Sequence, residues 1–370
     1  MSPDGAPRIL FVTGRTPPLQ CGVGDYTAHL ARTLARRGVT VGVLTGVGSG
    51  PIEDVDVQAV MPGWSWRERR RLNEAVANWH PDLIHFQYPG QGYEPNRLPW
   101  LMAPLAALRG RHVAQTWHEH YRQRTWVDLK GSLLNLPNAL TPGPIVAVRP
   151  GYREQLAPWY RWLMRDRRLH HVPNAATIPA QFLEPAEREA LRARVGAAGR
   201  RLIAYFGFAN PGKGVERLFE ICDPVTDHLL LLCALSPDDP YQAKVLVRAE
   251  SPPWVNRVTV TGFLPADEVG RALAAADAIV LPFRGGGGPW NTTLQAARLQ
   301  TTFVLTTARP ASGYDAGDHL FWADPDDLEA MRRALQVYAG IRAAAPRHGL
   351  ATWDAVADAH LALYRAELGL

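Results

Sequence analysis

Apolar runs alternate along the whole chain with segments whose apolar residues recur at helical spacing. Continuous apolar runs are typical of strands buried on both faces of a parallel sheet, and an i, i+3, i+4, i+7 repeat indicates a helix. The clearest unit runs from Arg201 to Asp223: an apolar strand, a loop of small and turn-prone residues, then a helical stripe of Val215, Leu218, Phe219 and Cys222. The pattern predicts an α/β fold.

The first half of the chain opens with strand, loop, helix and strand. The predicted strands are Arg8–Gly14, Thr40–Thr45, Val57–Met61, Asp82–Tyr88, His112–Trp117, Ile145–Val148 and Leu169–Pro173. The predicted helices begin near Gly24, Trp66, Arg97 and Tyr152. Because strands joined through helices run parallel, we expect a mostly parallel sheet.

A second alternating series follows the proline-containing segment Pro173–Pro185, which we interpret as a linker. Its predicted strands are Leu202–Phe206, Leu229–Leu235, Val258–Phe263, Ala278–Phe283, Phe303–Thr307 and a short Leu320–Ala323. Its predicted helices are Glu187–Val195, Val215–Cys222, Tyr241–Ala249, Asp267–Ala276, Pro289–Gln300, one after Pro325, and Thr352–Leu368. Two parallel-sheet domains imply a cleft that the carboxyl ends of the strands face, where open sheets bind ligands.

Length and composition narrow the class of protein. The chain has 370 residues, beyond the ~250–300 at which one core stops growing, so two domains are expected. The net charge of +5 suits an anionic small ligand or an anionic surface. The chain lacks the concentrated cluster of lysines and arginines that is typical of a nucleic-acid binder. Three cysteines without a CxxC pair disfavour a disulfide framework. With no signal-peptide pattern and no apolar run of membrane-spanning length, we expect a cytoplasmic protein.

Two glycine-containing loops of the second half are candidates for holding phosphate. Lys213 stands in the loop just before a predicted helix, where free N–H groups, the helix dipole and an ammonium would meet. The run 285–288 is four glycines followed by Pro289, which suits a helix start. The alternatives are a plain turn with a solvated lysine and a flexible loop. Neither loop is a Walker A motif, because Gly214 follows the lysine.

The first half offers weaker candidates. Gly22, Val23 and Gly24 lie between a strand and a helix, where a tight turn is the alternative. His118 ends a strand and could bind a sugar hydroxyl or act as acid or base, with a structural histidine as the alternative. His118 and His120 lack a third ligand, so we predict no metal site.

Two segments combine arginines with tryptophans, Trp64–Arg71 and Trp159–Arg168. They suit peripheral contact with an anionic membrane surface, at the inner membrane face, or with a lipid-linked acceptor. The alternative is a solvated basic helix face with part-buried tryptophans.

Several motifs, in this order, resemble those of the retaining glycosyltransferases of family 4, which have the GT-B fold. They are PPLQCGVGDYTAHLARTLARRG, WHPDLIHFQYP, TWHEHY, YFGFANPGKGVERL, RVTVTGFLPADEVGRALAAADAIVLPF and TWDAVADAHLALY. The resemblance covers nearly the whole chain. It implies two Rossmann-like domains facing across a cleft, an acceptor domain 1–174 and a nucleotide-sugar donor domain 175–350. It also implies that a C-terminal helix in 351–370 crosses back onto the first domain.

The resemblance further implies a metal-independent hexosyltransferase without a cofactor, using a UDP-, GDP- or dTDP-sugar and a small-molecule, glycan or lipid-linked acceptor. It assigns catalysis to Lys213, His118 and Asn210, with no protein nucleophile. The implied donor-binding residues are Gly22, Val23, Gly24, Gly207, Gly262, Phe263, Leu264, Gly286, Gly287, Gly288, Asn291, Thr292 and Gln295. The implied acceptor-binding residues are Asp25, Tyr26, Gln87 and Tyr88.

The chain departs from the family pattern at its Glu-x7-Glu pair. The second glutamate corresponds to Gln295, Gly287 stands eight residues earlier, and the usual basic residue before the lysine corresponds to Asn210 or is absent. An amide at Gln295 could still bind a ribose hydroxyl. Two alternatives therefore stay open: a catalytically silent GT-B protein that binds a sugar nucleotide or a partner enzyme, and a sugar-nucleotide epimerase.

Overall fold

The computed structural model describes residues 6–88, 92–93, 96–118, 126–164, 168–344 and 349–370, without the side chains of 126–132. The chain divides into two compact units. The first comprises Met1–Ala175 with Ala351–Leu370, and the second comprises Ala176–Leu350. Each unit is an α/β layer structure built around one sheet.

The first unit contains a seven-stranded parallel sheet in the order β3-β2-β1-β4-β5-β6-β7. Its strands are β1 Arg8–Val12, β2 Thr40–Gly46, β3 Asp56–Met61, β4 Leu83–Tyr88, β5 His112–Trp117, β6 Ile145–Ala147 and β7 Leu169–His171. Central strand β1 pairs with both β2 and β4, so Ile9 stands opposite Val41 and Leu83. Burial on both faces explains the continuous apolar runs.

Helices cover both faces of this sheet. They are α1 Gly22–Arg36, α2 Arg69–Trp79, α3 Met102–Ala107, α4 Trp126–Leu140, α5 Tyr152–Gln155, α6 Pro158–Met164 and the C-terminal α13 Trp353–Leu368. One core cluster joins α1 and α13 to one face of the sheet, and another joins α2 and α3 to the opposite face. Helix α4, which contains Pro137, was not predicted from the sequence.

The second unit repeats the plan with a seven-stranded sheet in the order β10-β9-β8-β11-β12-β14-β13. Its strands are β8 Arg201–Phe206, β9 Asp227–Leu232, β10 Val258–Val260, β11 Ala278–Leu281, β12 Phe303–Thr307, β13 Gly313–Asp315 and β14 Leu320–Ala323. The unpredicted β13 runs antiparallel to β14, and the other pairings are parallel. The α/β class with two mostly parallel sheets is therefore confirmed.

The helices of the second unit are α7 Pro185–Arg194, α8 Leu218–Ile221, α9 Pro240–Ala249, α10 Ala266–Ala275, α11 Thr292–Arg298 and α12 Leu328–Tyr338. The predicted helix Val215–Cys222 is shorter than expected. Val215–Arg217 forms a 3-10 turn, and only the last turn is α-helical. Gly214, in the left-handed region at φ +68°, sets the tight start, and Cys222 is already extended.

Both sheets reverse their strand order at one point, between β1 and β4 in the first unit and between β8 and β11 in the second. Loops leaving the carboxyl ends of two such strands diverge, and the crevice between them is the usual ligand site of an open parallel sheet. We therefore expect ligand-binding residues in the loops after β1, β4 and β5 of the first unit and in the loops after β8 and β11 of the second.

Candidate functional site

Two loops meet at the reversal point of the second sheet. The loop after β8 is bound to the loop after β11 through the Arg284 N–H, which donates to the Gly212 carbonyl at 3.0 Å. Gly214 fits closely, since a Cβ there would stand 2.4 Å from the Pro282 carbonyl oxygen. This close approach and the positive φ together require glycine. The loop that carries Lys213 is thus fixed against its neighbour.

Lys213 has an unusual environment for a lysine. Its Nζ lies 4.5 Å from the centroid of the Phe283 ring, a cation–π contact. Among the residues that the structure describes, it forms no ion pair, and burial lowers the pKa of its ammonium. A part-buried cation without a counter-ion is unfavourable, so this position favours an incoming anion.

Asn210 holds the loop through its side-chain oxygen and its carbonyl. Its Oδ1 accepts from the Lys213 N–H at 3.2 Å, and its carbonyl accepts from the same N–H at 2.9 Å. Asn210 therefore caps the 3-10 turn Pro211–Lys213. In this structure Asn210 positions Lys213, and its expected contact with a leaving group stays a prediction.

The N–H groups of the glycine run are already in use. Gly286 donates to the Phe283 carbonyl at 3.2 Å, and Gly287 donates to the Thr307 carbonyl at 2.6 Å. Gly288 donates to Asn291 Oδ1 at 2.9 Å. Gly286, Gly287 and Gly288, which the resemblance assigns to donor binding, therefore present no free N–H group in this structure. Glycine is needed here for packing, because a Cβ on Gly288 would lie 2.1 Å from the Trp290 ring.

The free donors lie one step further along, in the first turn of α11. Asn291 precedes this helix but does not cap it, since its side chain is engaged with Gly288. The first-turn N–H groups of Thr292, Thr293 and Leu294 thus lack a capping acceptor. Among the described residues, Thr293 Oγ1 is also buried without a hydrogen-bond partner. A Cβ on Gly207 would stand 2.9 Å from Thr293 Cγ2, so this turn adjoins the end of β8.

Gln295 lies beneath the site rather than in it. It is 4% exposed, its Nε2 donates to the Pro289 carbonyl, and its Oε1 accepts from Arg298 at 3.4 Å. The expectation that Gln295 binds a ribose hydroxyl is corrected, because both ends of its amide are used within the protein. It fixes the start of α11 to the preceding loop.

A third loop, after β10, carries the residues expected to contact a base. Gly262 has φ +71°, and Phe263 is 56% exposed. Leu264 packs against the core of the unit. The ring of Phe208, in the loop after β8, lies 6.5 Å from that of Phe263, centroid to centroid. Phe208 was missed in the sequence, although it directly follows Gly207.

The sequence also gave no sign of a polar cluster that supports the lysine loop. The Tyr241 hydroxyl accepts from the Val215 N–H at 3.0 Å and donates to Glu216. Arg284 Nε donates to Glu216 Oε1 at 2.9 Å. Glu216 follows Lys213 closely in the chain and Arg284 follows β11, so the cluster ties both loops and α9 together.

In the first unit, the predicted glycine triplet forms the first turn of α1, which begins at Gly22. Gly24 is required by packing, since a Cβ would stand 2.2 Å from the Arg15 carbonyl oxygen. Asp25 follows in the same turn, and burial raises the pKa of its carboxyl to about 6. Among the described residues Asp25 forms no ion pair, so its carboxylate is available at this edge.

His118 follows β5 at the same edge of the first sheet. Its Nε2 lies 2.6 Å from Gln87 Oε1, and its ring stands edge-on to Tyr26 at 4.8 Å between centroids. Burial, assisted by His360, lowers the pKa of His118 to about 3, so the imidazole is neutral. With Nε2–H donating to the amide, Nδ1 is left as an acceptor, which suits a hydroxyl donor.

Three residues expected to bind the acceptor are buried instead. Tyr26 is 1% exposed and its hydroxyl lies 3.3 Å from His360 Nε2. Gln87 is fully buried beneath His118, and Tyr88 is 2% exposed against Trp117. The assignment of Tyr26, Gln87 and Tyr88 as direct acceptor contacts is corrected: they support His118 and the core.

His120 and part of Trp159–Arg168 lie outside the described residues. Within the described part of the chain, no group of three histidine, cysteine or carboxylate side chains is arranged to hold a metal ion. Nor does that part contain a helix long and apolar enough to cross a membrane.

Comparison with known families gave two matches. Residues 21–178 match the family model described as Glycosyltransferase Family 4, and residues 200–338 match the one described as Glycosyl transferases group 1. Together they span most of both units. A comparison with curated proteins gave no match.

Solved structures of similar fold are distant in sequence. Sucrose-phosphate synthase from Thermosynechococcus elongatus is 17% identical, with a TM-score of 0.74 over 98% of this chain and 99% of the other. HepE from Anabaena, in complex with UDP and glucose, is 14% identical, with a TM-score of 0.67 over 97% and 95%. WaaG, a glycosyltransferase involved in lipopolysaccharide biosynthesis, is 15% identical, with a TM-score of 0.63 over 97% of both chains.

Proposed function

The chain belongs to the group 1 glycosyltransferases of the GT-B fold, and we propose that it transfers a sugar from a nucleotide-sugar donor to an acceptor hydroxyl, with Lys213 stabilising the departing diphosphate. We further propose that the transfer retains anomeric configuration and needs no divalent metal. The observation that carries the proposal is Lys213 itself: a part-buried ammonium without an ion-pair partner among the described residues, fixed where two strand-end loops meet.

The proposed reaction breaks the bond between the anomeric carbon and the diphosphate oxygen, and the electron pair leaves with the diphosphate. Negative charge therefore grows on the phosphate oxygens in the transition state, where a fixed ammonium is more useful than in the ground state. Lys213 supplies that charge. The first-turn N–H groups of Thr292 and Thr293 offer further donors to the same phosphates.

The acceptor hydroxyl forms the new bond to the anomeric carbon on the same face, and its proton passes to the departing diphosphate. This course needs no protein nucleophile. It agrees with the presence of amides at Asn210 and Gln295, because a neutral carboxamide is a poor nucleophile.

Recognition of the base is assigned to the loop after β10. An exposed Phe263 with Phe208 nearby offers an apolar face, and the backbone of Gly262 and Leu264 offers polar groups. In the first unit, neutral His118 is assigned to a sugar hydroxyl, and Asp25 is assigned to the acceptor. Gly22, Val23 and Gly24 keep their predicted role toward the donor through the start of α1.

The proposal is tested with the purified protein and a panel of UDP-, GDP-, dTDP- and ADP-sugars. Isothermal titration identifies the donor, and slow hydrolysis of that donor, followed by proton NMR, reports turnover and anomeric configuration. We expect one donor class to bind and release sugar with retained configuration, at an unchanged rate in excess EDTA. Binding without any turnover, or an isomerised donor, would contradict the proposed transfer.

A further inference from the structure

A cavity of about 230 Å³ lies in the first unit between α2 and α3. Helix α2 packs on β2 and β3, whereas α3 packs on β5, so the two strands between them, β1 and β4, lie under the gap between the two helices. Ile84 and Phe86 of β4 form the floor of the cavity. It opens on the sheet face opposite to α1 and α13.

The walls of this cavity are mainly aliphatic. They include Leu72, Val76, Leu98, Met102 and Leu105. A dry apolar cavity of about 150 Å³ is large enough to bind benzene in an engineered protein, so this larger one accepts a sizeable apolar group. Because aliphatic side chains dominate the walls, an alkyl chain fits it better than an aromatic ring that needs stacking partners.

Charge at the cavity is of one sign. Arg69, Arg109 and Arg111 line it, and none of the described residues that line it is a carboxylate. Within the described chain none of the three forms an ion pair: Arg69 lies over the Trp66 ring at 5.2 Å, and Arg109 Nη1 donates to the Leu105 carbonyl at 2.7 Å. Guanidinium groups bind carboxylate and phosphate through paired N–H donors. An anionic head group is therefore the complement of this rim.

A cavity in the second unit gives a useful contrast. It measures about 190 Å³, adjoins α7 and α10, and is also mainly apolar. Its lining includes both Arg194 and Glu268. Because its lining carries charges of both signs, the cavity of the second unit does not favour an anion. The selectivity of the first cavity therefore comes from its arginines and not from its apolar space alone.

The geometry points to a binding site in the first cavity for a single alkyl chain that carries an anionic head group. Arg109 and Arg111 bind the head, and the chain lies over β4. Arg111 directly precedes β5, so this end of the cavity lies at the amino ends of the strands. Asp25 and His118 lie at the carboxyl ends, so the site is distinct from the proposed sugar site and does not depend on it.

The test is isothermal titration with n-octyl phosphate below its micellar concentration. We expect a 1:1 complex that binds more than tenfold more tightly than either n-octanol, which lacks the charge, or inorganic phosphate, which lacks the chain. The same titration with the Lys213→Ala protein should be unchanged, because that variant removes only the proposed diphosphate site. Equal binding of octyl phosphate and inorganic phosphate would overturn the proposal.

Two variants test separately the contact with the head group and the contact with the alkyl chain. In Arg109→Ser/Arg111→Ser, the affinity for octyl phosphate should fall to that for octanol, whereas Arg70→Ser, on α2 but outside the cavity and paired with Glu74, should change nothing. Ala106→Phe fills the cavity and should abolish binding of both octyl compounds. The arginine double variant replaces only exposed side chains, so it remains informative if Ala106→Phe fails to fold. Full octyl phosphate binding by the arginine double variant would overturn the proposal.

Discussion

The two units share one architecture but present different chemistry at the carboxyl edges of their sheets. In the second unit, the loops after β8 and β11 surround Lys213, an ammonium without a carboxylate partner among the described residues. In the first unit, the strand ends present His118, a neutral imidazole, above a buried layer of hydrogen-bonded rings. The sheet therefore does not determine the ligand. The few residues that leave its carboxyl edge do.

The difference assigns a separate task to each edge. A cation and uncapped helix N–H groups complement phosphate. A neutral acceptor nitrogen complements a hydroxyl and adds no charge that would attract phosphate. The buried layer below His118 also has a structural role, since His85 Nδ1 contacts the Tyr364 hydroxyl at 2.5 Å and His360 lies near Tyr26. These contacts join α13 to α1 and the sheet.

Removing the cation should have the largest effect on catalysis. We expect Lys213→Ala to lower the rate of sugar release from the donor by about 10²–10³-fold, the usual loss when one transition-state donor is removed. Saturating-donor and limiting-donor rates should both fall, because the charge on the diphosphate is greatest in the transition state. Lys244→Ala, an exposed lysine of α9, is the control. Wild-type turnover by Lys213→Ala would remove Lys213 from the mechanism.

Acid should weaken the first unit through its buried neutral histidines. Burial lowers the pKa of His360 to about 4, below its ordinary value near 6.5. The contribution of neutral His360 to the free energy of unfolding is therefore complete above pH 6.5. It is lost as pH falls toward 4, and the loss is about 3 kcal/mol for this one group.

Urea unfolding measured from pH 7.5 to 4.5 checks this prediction. His360→Gln should flatten the pH dependence, while His112→Gln, on the exposed start of β5, should not. A slope that His360→Gln leaves unchanged would show that other groups cause the acid sensitivity.

Weakening the support of the lysine loop should have a smaller effect. Arg284→Ala removes the side-chain contact to Glu216 but keeps the backbone bond to Gly212, so it loosens the loop, and we expect roughly a tenfold loss in donor turnover at limiting donor. Arg284→Lys should restore part of it. Arg248→Ala removes a longer pair, 3.7 Å to Glu220 in the same unit, and serves as the control. Equal losses in Arg284→Ala and Arg248→Ala would argue against a positioning role.

The smallest effect on donor binding is expected from a change in the loop after β10, which is proposed to contact the base. Stacking on an aromatic side chain contributes about 1–3 kcal/mol per base, and Phe263 is 56% exposed, so the lower end applies. Phe263→Ala should weaken the donor about fivefold without changing turnover at saturation. Titration of the matching nucleoside, which lacks phosphate, should show the same loss. An unchanged nucleoside affinity would remove Phe263 from the base site.

The sequence predicts the elements of this fold well because strand burial leaves continuous apolar runs, as in β8, and helices leave an amphipathic stripe, as in α13. It fails where the helical signal is short or mixed. The helix after Lys213 is cut to one α-helical turn by Gly214 and the extended Cys222. Helix α4, with an internal proline and a weak polar face, gave no clear pattern.

The site is less predictable, because loop residues are satisfied by partners distant in sequence. Gly287 donates to Thr307 and Gln295 to Pro289, contacts that no local pattern reveals. Strand residues Gln87 and Tyr88 are buried by packing from elements distant in the chain, which no local pattern reveals. Lys213 could be selected as a candidate because the strand and the glycine-containing loop before it form a local pattern, which the structure retains in β8 and the turn Pro211–Lys213.

The most direct measurement of the central claim compares the nucleoside diphosphate of the preferred donor with its nucleoside, by isothermal titration to the wild-type and Lys213→Ala proteins. We predict that the diphosphate binds at least tenfold more tightly than the nucleoside in the wild type. In Lys213→Ala this advantage should fall by at least tenfold while nucleoside affinity is unchanged. An advantage of the same size in both proteins would contradict the assignment of the diphosphate to Lys213.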